Sequence, residues 1–199
     1  ESARRCGQSE APSLMHLNRA WRETEDGYFK AALQVTPSSK EHMAGRHVQA
    51  FAALVLARAG VNADAQAIVD DLAHGYPADT LLNSYWLPSI RATIEINRKS
   101  PAKALTYLQS AAQAEVGLHE PFVEVAALFI PVYIRGQAYL LLRQGKEAAA
   151  EFQKFSQYNG ITGNSPLAVL AHLQLGRAYS MQGDITKSKV AYQEFLTLW

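Results

Sequence analysis

The residues that could perform acid–base or metal chemistry are spread along the chain rather than clustered. The sequence has six histidines, and the two nearest, His42 and His47, are five residues apart, a spacing that does not place both on one face of a helix. The other four occur singly along the chain: His16, His74, His119 and His172. This pattern predicts surface or packing histidines and no metal site.

Sequence motifs for nucleophilic catalysis and phosphate binding are absent. There is no G-x-S-x-G and no C-x-x-C, and the segment RQGKEA at 143–148 lacks both the leading glycine and the hydroxyl of a Walker loop. The single cysteine, Cys6, excludes an intramolecular disulfide and leaves the redox compartment open. Glu95 has Arg91 four residues before it, so we expect a local ion pair there. We predict no catalytic residue and no cofactor.

Charge and hydropathy argue against two further classes of protein. The net charge of +1, from 19 basic and 18 acidic residues, provides no electrostatic footprint for nucleic acid or an anionic membrane. The most apolar segment, 122–142, includes Glu124 and Arg135, and its uninterrupted apolar part at 125–134 is ten residues long. A membrane-spanning helix needs about 20. We therefore predict a buried helix in this segment.

The elements that position the polar residues are indicated by an internal repeat. Two copies share the same intervals of three, nine and four residues: Gly136, Tyr139, Ala148, Phe152 and Gly176, Tyr179, Ser188, Tyr192. Spacings of three and four place side chains on one helical face, so each copy predicts two helices joined by a turn. The small residue allows close approach of a neighbouring helix, and we expect Phe152 and Tyr192 to pack into the next repeat.

Weaker copies extend the repeat upstream. Two of them keep the intervals, and a half copy precedes both: Ala53, Leu56, Ala65, Val69; Ala92, Glu95, Ala104, Leu108; and Phe29, Ala32, Leu33, Pro37. Successive copies begin 39, 44 and 40 residues apart. This pattern resembles the tetratricopeptide repeat, whose standard period is about 34 residues. The resemblance implies an all-α fold, a tetratricopeptide-type α-α superhelix (a helical-hairpin solenoid) of about four to five repeats.

Domain boundaries and helix lengths follow from the same reading. Residues 1–12 are polar and aperiodic, which predicts a tail or frayed lead-in before a repeat domain over 13–199. Residues 13–35 read as helical, with a weak point at Gly27. Asp79 is a good N-cap for a helix running to about Asn97, and Pro88 inside it predicts a kink.

Long first helices would account for the long periods. A second helix of this kind is predicted to start at Pro121 and to be interrupted by Pro131. The chain also starts at Glu1 and stops at Trp199 on an apolar helix face, so we expect a fragment of a longer protein. Phe195, Leu198 and Trp199 would then leave an apolar end capable of self-association.

A second resemblance covers roughly residues 28–199 and is most specific at DTLLNSYWLPSIRA, residues 79–92. These residues resemble the C-terminal region of acidobacterial eukaryotic-like serine/threonine protein kinases, and also repeat regions of related winged-helix regulators. The resemblance implies a bacterial protein, either cytoplasmic or the extracytoplasmic part of a membrane-anchored kinase. No kinase motif occurs in the chain itself.

The resemblance also implies a binding groove lined by first-helix residues three before and one after the small position, termed inner positions below. These residues are Ser89, Thr93, Tyr133, Gln137, Leu173 and Arg177. Arg177 is the only cation among them, which argues against a clamp for a terminal carboxylate and favours a mixed apolar and hydrogen-bonding groove. We expect a non-catalytic scaffold for a protein or peptide segment, with a helical-repeat enzyme as the alternative.

Overall fold

The computed structural model describes residues 2–35, 45–113, 115, 129–162 and 165–199. Within these ranges all regular structure is helical and no β-strand occurs, which confirms the all-α class. Sequence-adjacent helices pack in pairs and form five hairpins. The pairs are α1 (Ser2–Glu25) with α2 (Phe29–Val35), α3 (Arg46–Arg58) with α4 (Asn62–Gly75), α5 (Leu87–Asn97) with α6 (Pro101–Leu108), α7 (Ile130–Leu141) with α8 (Gly145–Gln157), and α10 (Pro166–Met181) with α11 (Ile185–Leu198). A short α9 (Asn159–Thr162) follows α8.

The turn inside every hairpin has the same backbone geometry. One residue in each turn has a left-handed φ between 58° and 86°: Gly27, Gly60, Lys99, Arg143 and Gly183. The next residue donates its N–H to the carbonyl five residues back, as in Val61 to Leu56 at 2.9 Å and Asp184 to Tyr179 at 3.0 Å. This is the Schellman ending of a helix. The last four turns are 39, 44 and 40 residues apart, the same spacings that the sequence repeat predicted.

The small positions of the repeat are where the two helices of a hairpin come closest. A Cβ atom added to Gly136 would lie 2.5 Å from Phe152, and one added to Gly176 would lie 2.5 Å from Tyr192. Each ring therefore packs on the glycine of its own hairpin. The Ser188 hydroxyl also donates to the Gly176 carbonyl at 2.9 Å, which ties the second helix to the first.

The helix predicted from Asp79 to Asn97 is confirmed. The Asp79 carboxylate accepts from the Leu82 N–H at 2.9 Å, which is an N-cap interaction. Before Pro88 the helix widens into a π turn at Leu82–Trp86, where the Leu87 N–H donates to the carbonyl of Leu82, five residues back. Because proline lacks an N–H and clashes with the preceding turn, the widening accommodates Pro88, the residue at which a kink was predicted.

Pro131 lies in the first turn of α7. This helix begins at Ile130, directly after Phe129 in a left-handed conformation (φ 66°), so the missing N–H of Pro131 costs nothing. The prediction of a helix that starts at Pro121 and is interrupted by Pro131 falls partly on residues 121–128, which lie outside the described residues. The first helix of the third hairpin is long, as predicted, and the described α7 helix has 12 residues.

The N-terminal hairpin is more complete than the sequence indicated. Residues 2–12, predicted as a tail or frayed lead-in, belong to α1. Gly27 (φ 86°) lies in the turn between α1 and α2. Ala20 and Ala32 occupy the two small positions of this hairpin, and both are fully buried. The half copy predicted at residues 29–37 covers the described α2, the second helix of this hairpin, and its last two residues lie outside the described residues.

Candidate functional site

Two of the predicted groove residues lie in the protein interior. Ser89 is fully buried and its hydroxyl donates to the Tyr85 carbonyl at 2.6 Å. Thr93 is 2% exposed and its hydroxyl donates to the Ser89 carbonyl at 2.9 Å. Both hydroxyls are satisfied within their own helix, so neither residue lines an accessible groove.

Tyr133 is also buried, although the sequence placed it on the binding face. Its ring meets Phe152 and Phe155 edge-on, with centroids 5.7 and 6.1 Å away. The Gln174 amide donates to the Tyr133 hydroxyl at 3.2 Å, across two hairpins. Burial, with a smaller contribution from the Glu25 carboxylate, raises the pKa of Tyr133 to about 12. Tyr133 is thus a packing residue that holds α7 against α10.

A buried ion pair crosses the inner side of the hairpins. The Arg58 guanidinium donates to both carboxylate oxygens of Glu25, at 2.8 and 2.7 Å, and to the Gln137 amide oxygen at 2.9 Å. The Arg58 Cζ atom also lies 5.7 Å from the centre of the Tyr133 ring. Burial opposes the charge, but the Glu25 carboxylate outweighs it and raises the pKa of Arg58. These contacts join the first, second and fourth hairpins.

An open cavity of about 460 Å³ remains next to this network, at the ends of α5, α7 and α10. Its lining is apolar with two amides and two cations: Ile96, Leu140, Leu141, Met181, Gln137, Gln174, Lys99 and Arg177. No carboxylate of the described residues lines it. The Arg177 guanidinium donates to the Gln174 amide oxygen at 3.1 Å, and neither Lys99 nor Arg177 forms a salt bridge with a described carboxylate.

The structure therefore divides the six predicted groove residues. Gln137 and Arg177 meet at this cavity, Leu173 lies partly buried on α10, and Ser89, Thr93 and Tyr133 are buried. Sequence reasoning missed Lys99, because it lies in a turn and not on a first-helix face. The repeat interval could have identified it, since Lys99 occupies the same turn position as Gly60 and Gly183.

A second cavity of about 330 Å³ lies between α8, α10 and the end of α11. His172 and Ser156 contribute to its lining, and the His172 Nδ1 atom lies 2.9 Å from a Glu194 carboxylate oxygen. A histidine paired with a carboxylate can act as a general base. Among the described side chains, however, no hydroxyl or thiol hydrogen-bonds to His172. The sequence could not show this pair, because its members are 22 residues apart.

Several other charged residues form ion pairs that join helices or stabilise one helix. Arg135 donates to Glu115 at 2.6 Å and to Glu151 at 2.7 Å. The sequence predicted that Glu95 pairs with Arg91, but in the structure Glu95 accepts from Arg98 at 2.8 Å. In the described part of the chain, no three His, Cys, Asp or Glu side chains converge as metal ligands would. No described helix has the length and apolar character needed to cross a membrane.

No family model, no curated protein and no solved structure matches the chain. The resemblances of the repeat to tetratricopeptide proteins and of residues 28–199 to kinase C-terminal regions therefore remain predictions from the sequence.

Proposed function

We propose that this protein is a non-catalytic binding module of the tetratricopeptide type, and that its ligand is a peptide segment combining apolar side chains with a carboxylate. The cavity at the ends of α5, α7 and α10 is the observation that carries the proposal. Its four apolar side chains can bury part of a ligand, and its cationic side chains are not paired with carboxylates among the described residues. By resemblance, the module would be the sensing or docking region of a bacterial serine/threonine kinase.

Two cations at the rim favour an acidic ligand over a basic one. Lys99 and Arg177 both line the cavity, while no carboxylate in the described part of the chain does. Hydrogen bonds to charged groups contribute about 1.5–3 kcal/mol each, more than neutral ones. The Gln137 and Gln174 amides also line the cavity, and such groups can pair with the polar main chain of an extended peptide.

The backbone of Lys99 matters for the choice of variants. Lys99 adopts a left-handed φ of 60°, a conformation that costs roughly 1–2 kcal/mol for a residue with a Cβ atom. Glycine occupies the same turn position in three of the five described hairpins, at Gly27, Gly60 and Gly183, and Arg143 occupies it in the fourth. Glycine can therefore replace either cation without disturbing the turn.

The same geometry provides matched variants for the test. Peptides selected from a displayed random library against the whole chain would be synthesised, and their affinities measured by fluorescence anisotropy. Lys99→Gly keeps the turn and removes one rim cation. Arg143→Gly makes the same backbone change one hairpin later, at a residue that does not line the cavity.

We expect Lys99→Gly and Arg177→Gln each to weaken binding about tenfold or more, since each removes a charge-assisted hydrogen bond. Arg143→Gly should bind as the unchanged chain does, and none of the three should lose thermal stability. Selection of basic peptides, or equal affinities for Lys99→Gly and Arg143→Gly, would contradict the proposed site.

A further inference from the structure

The Gln137 amide at the cavity is held in one orientation by Arg58. The Nε and Nη2 groups of Arg58 donate to the two carboxylate oxygens of Glu25, and its Nη1 group donates to the Gln137 amide oxygen at 2.9 Å. A guanidinium group is planar and has only donors, so the Gln137 atom that faces it must be the oxygen. The NH2 group of Gln137 therefore points away from Arg58, and it donates to no other described residue.

The Gln174 amide is hydrogen-bonded at both ends. Its oxygen accepts from the Arg177 guanidinium at 3.1 Å, and its NH2 group donates to the Tyr133 hydroxyl at 3.2 Å. Lys99 and Arg177 are exposed at the same cavity, and both side chains have only N–H donors. The polar side chains of the cavity thus present N–H groups to a ligand, from Gln137, Arg177 and Lys99.

We propose that the Glu25–Arg58 pair sets the ligand specificity of this cavity. The pair turns the Gln137 NH2 group towards the ligand, so the cavity binds ligands whose contacting polar groups are acceptors, namely carboxylate and carbonyl oxygens. This inference rests on the proposed function and adds the residues that determine its specificity. Glu25 and Arg58 do not line the cavity and act as positioning residues through Gln137.

The geometry of the pair suits this role. The Glu25 side chain is 1% exposed, and its two hydrogen bonds fix the plane of the Arg58 guanidinium. The third hydrogen bond then fixes the Gln137 amide. If Gln137 rotated by half a turn, its oxygen would replace two N–H donors at the cavity, and a ligand carboxylate would meet an acceptor that cannot pair with it. Because Glu25 ends α1 and Arg58 ends α3, the first two hairpins control a site formed by the last three.

Two probes with the same carbon skeleton test the specificity. The first, 4-methylpentanoate, carries a carboxylate, and the second, 4-methylpentylamine, carries an ammonium group. Their affinities for the whole chain would be measured by NMR titration. We expect the carboxylate probe to bind at least about tenfold more tightly, and to be weakened by Lys99→Gly but not by Arg143→Gly. An amine probe that binds equally well, or a carboxylate probe that Lys99→Gly does not weaken, would overturn the proposed site and this inference with it.

Variants of Gln137 test the inference separately from the site. Gln137→Met keeps the length of the side chain and removes its N–H groups, so we expect the carboxylate probe to bind about fivefold more weakly. Gln137→Glu places a carboxylate there and should weaken binding at least about tenfold further. Gln109→Glu adds the same charge at an exposed residue that does not line the cavity, and should change nothing. Equal affinities for Gln137→Met and Gln137→Glu would overturn the inference and leave the proposed site intact.

The role of the ion pair is tested by Glu25→Gln combined with Arg58→Leu, which removes one charge of each sign and keeps the net charge. We expect the affinity ratio of the carboxylate probe to the amine probe to fall at least about fivefold, because the freed Gln137 amide can present its oxygen. A purely structural effect would weaken both probes together and leave the ratio unchanged. An unchanged ratio would therefore show that Arg58 does not position Gln137, and would overturn the inference.

Discussion

The inner positions of the first three hairpins and those of the last two carry different chemistry at the same places in the repeat. In the first three hairpins all six are apolar or small and all are buried: Leu17, Trp21, Ala50, Leu54, Ser89 and Thr93. In the last two, Tyr133 is buried, Gln137 and Leu173 are partly exposed, and Arg177 is exposed. Equivalent positions in a repeat thus form packed interior at one end and accessible surface at the other.

Aromatic packing explains why the first three hairpins leave no groove at these positions. Trp21 packs against Phe51 with centroids 6.0 Å apart, and Phe51 packs against Trp86 at 6.3 Å. These rings connect the first three hairpins through their interior. The last two hairpins have glutamine and arginine at comparable places, and the cavity lies beside them. Side-chain size and polarity, rather than repeat register, decide where a ligand can enter.

The largest change in unfolding free energy is expected from exchanging the residue types at one inner position between the third and fifth hairpins. Thr93→Arg would bury an unpaired charge where Thr93 is 2% exposed, and we expect a loss of at least about 4 kcal/mol of unfolding free energy, or failure to fold. Arg177→Thr, the reverse change two hairpins later, should alter stability by less than about 0.5 kcal/mol. Urea denaturation of both variants measures the difference. A well-folded Thr93→Arg would show that the third hairpin has an open inner face after all.

A somewhat smaller effect is expected from the rings that pack on the small positions. Phe152→Ala removes a ring that is 1% exposed, and we expect it to cost about 4 kcal/mol. Tyr192→Ala should cost about half as much, because Tyr192 is only partly buried. Thermal and chemical unfolding of the two variants would check the ratio. A cost below about 1 kcal/mol for both would mean that these rings do not hold the hairpins together.

The ion pair on the inner side should come next in size. Arg58→Leu leaves the Glu25 carboxylate, which is 1% exposed, without its partner, so we expect a loss of about 3 kcal/mol. Adding Glu25→Gln to that variant should restore part of the loss, since the buried charge is then gone. A double-mutant cycle by urea unfolding gives the coupling. If the double variant is less stable than Arg58→Leu, the pair does not act through charge.

Much of the fold could be predicted from the sequence because its signals are local. The repeat intervals located four of the five hairpins. The small and aromatic residues that define these intervals contact each other within one hairpin, as Gly136 and Phe152 do. The first hairpin was predicted only in part, because Glu23 stands where the last two copies have a tyrosine and the next repeat follows after 33 residues.

The candidate site was harder to predict, because it depends on contacts between hairpins. Burial of Ser89, Thr93 and Tyr133 results from how distant helices converge, which no interval within a repeat encodes. The contact from Arg58 to Gln137 spans 79 residues. Gln137 and Arg177 line the open cavity, where polar side chains avoid the cost of burial.

The smallest change in stability is expected from removing the Tyr133 hydroxyl, which lies where the packed interior meets the polar end. Tyr133→Phe keeps the ring and removes the acceptor of the Gln174 hydrogen bond, so we expect a loss of about 1 kcal/mol at neutral pH. The folded-state pKa of about 12 lies above the ordinary value of 10, so the folded protein holds this proton more tightly than the unfolded chain does. That contribution is complete below pH 10 and is lost as the pH rises towards 12. The stability difference between the unchanged chain and Tyr133→Phe should therefore shrink over this range, as measured by urea unfolding at a series of pH values. A difference that stays constant from neutral to alkaline pH would show that Tyr133 does not titrate from a buried position.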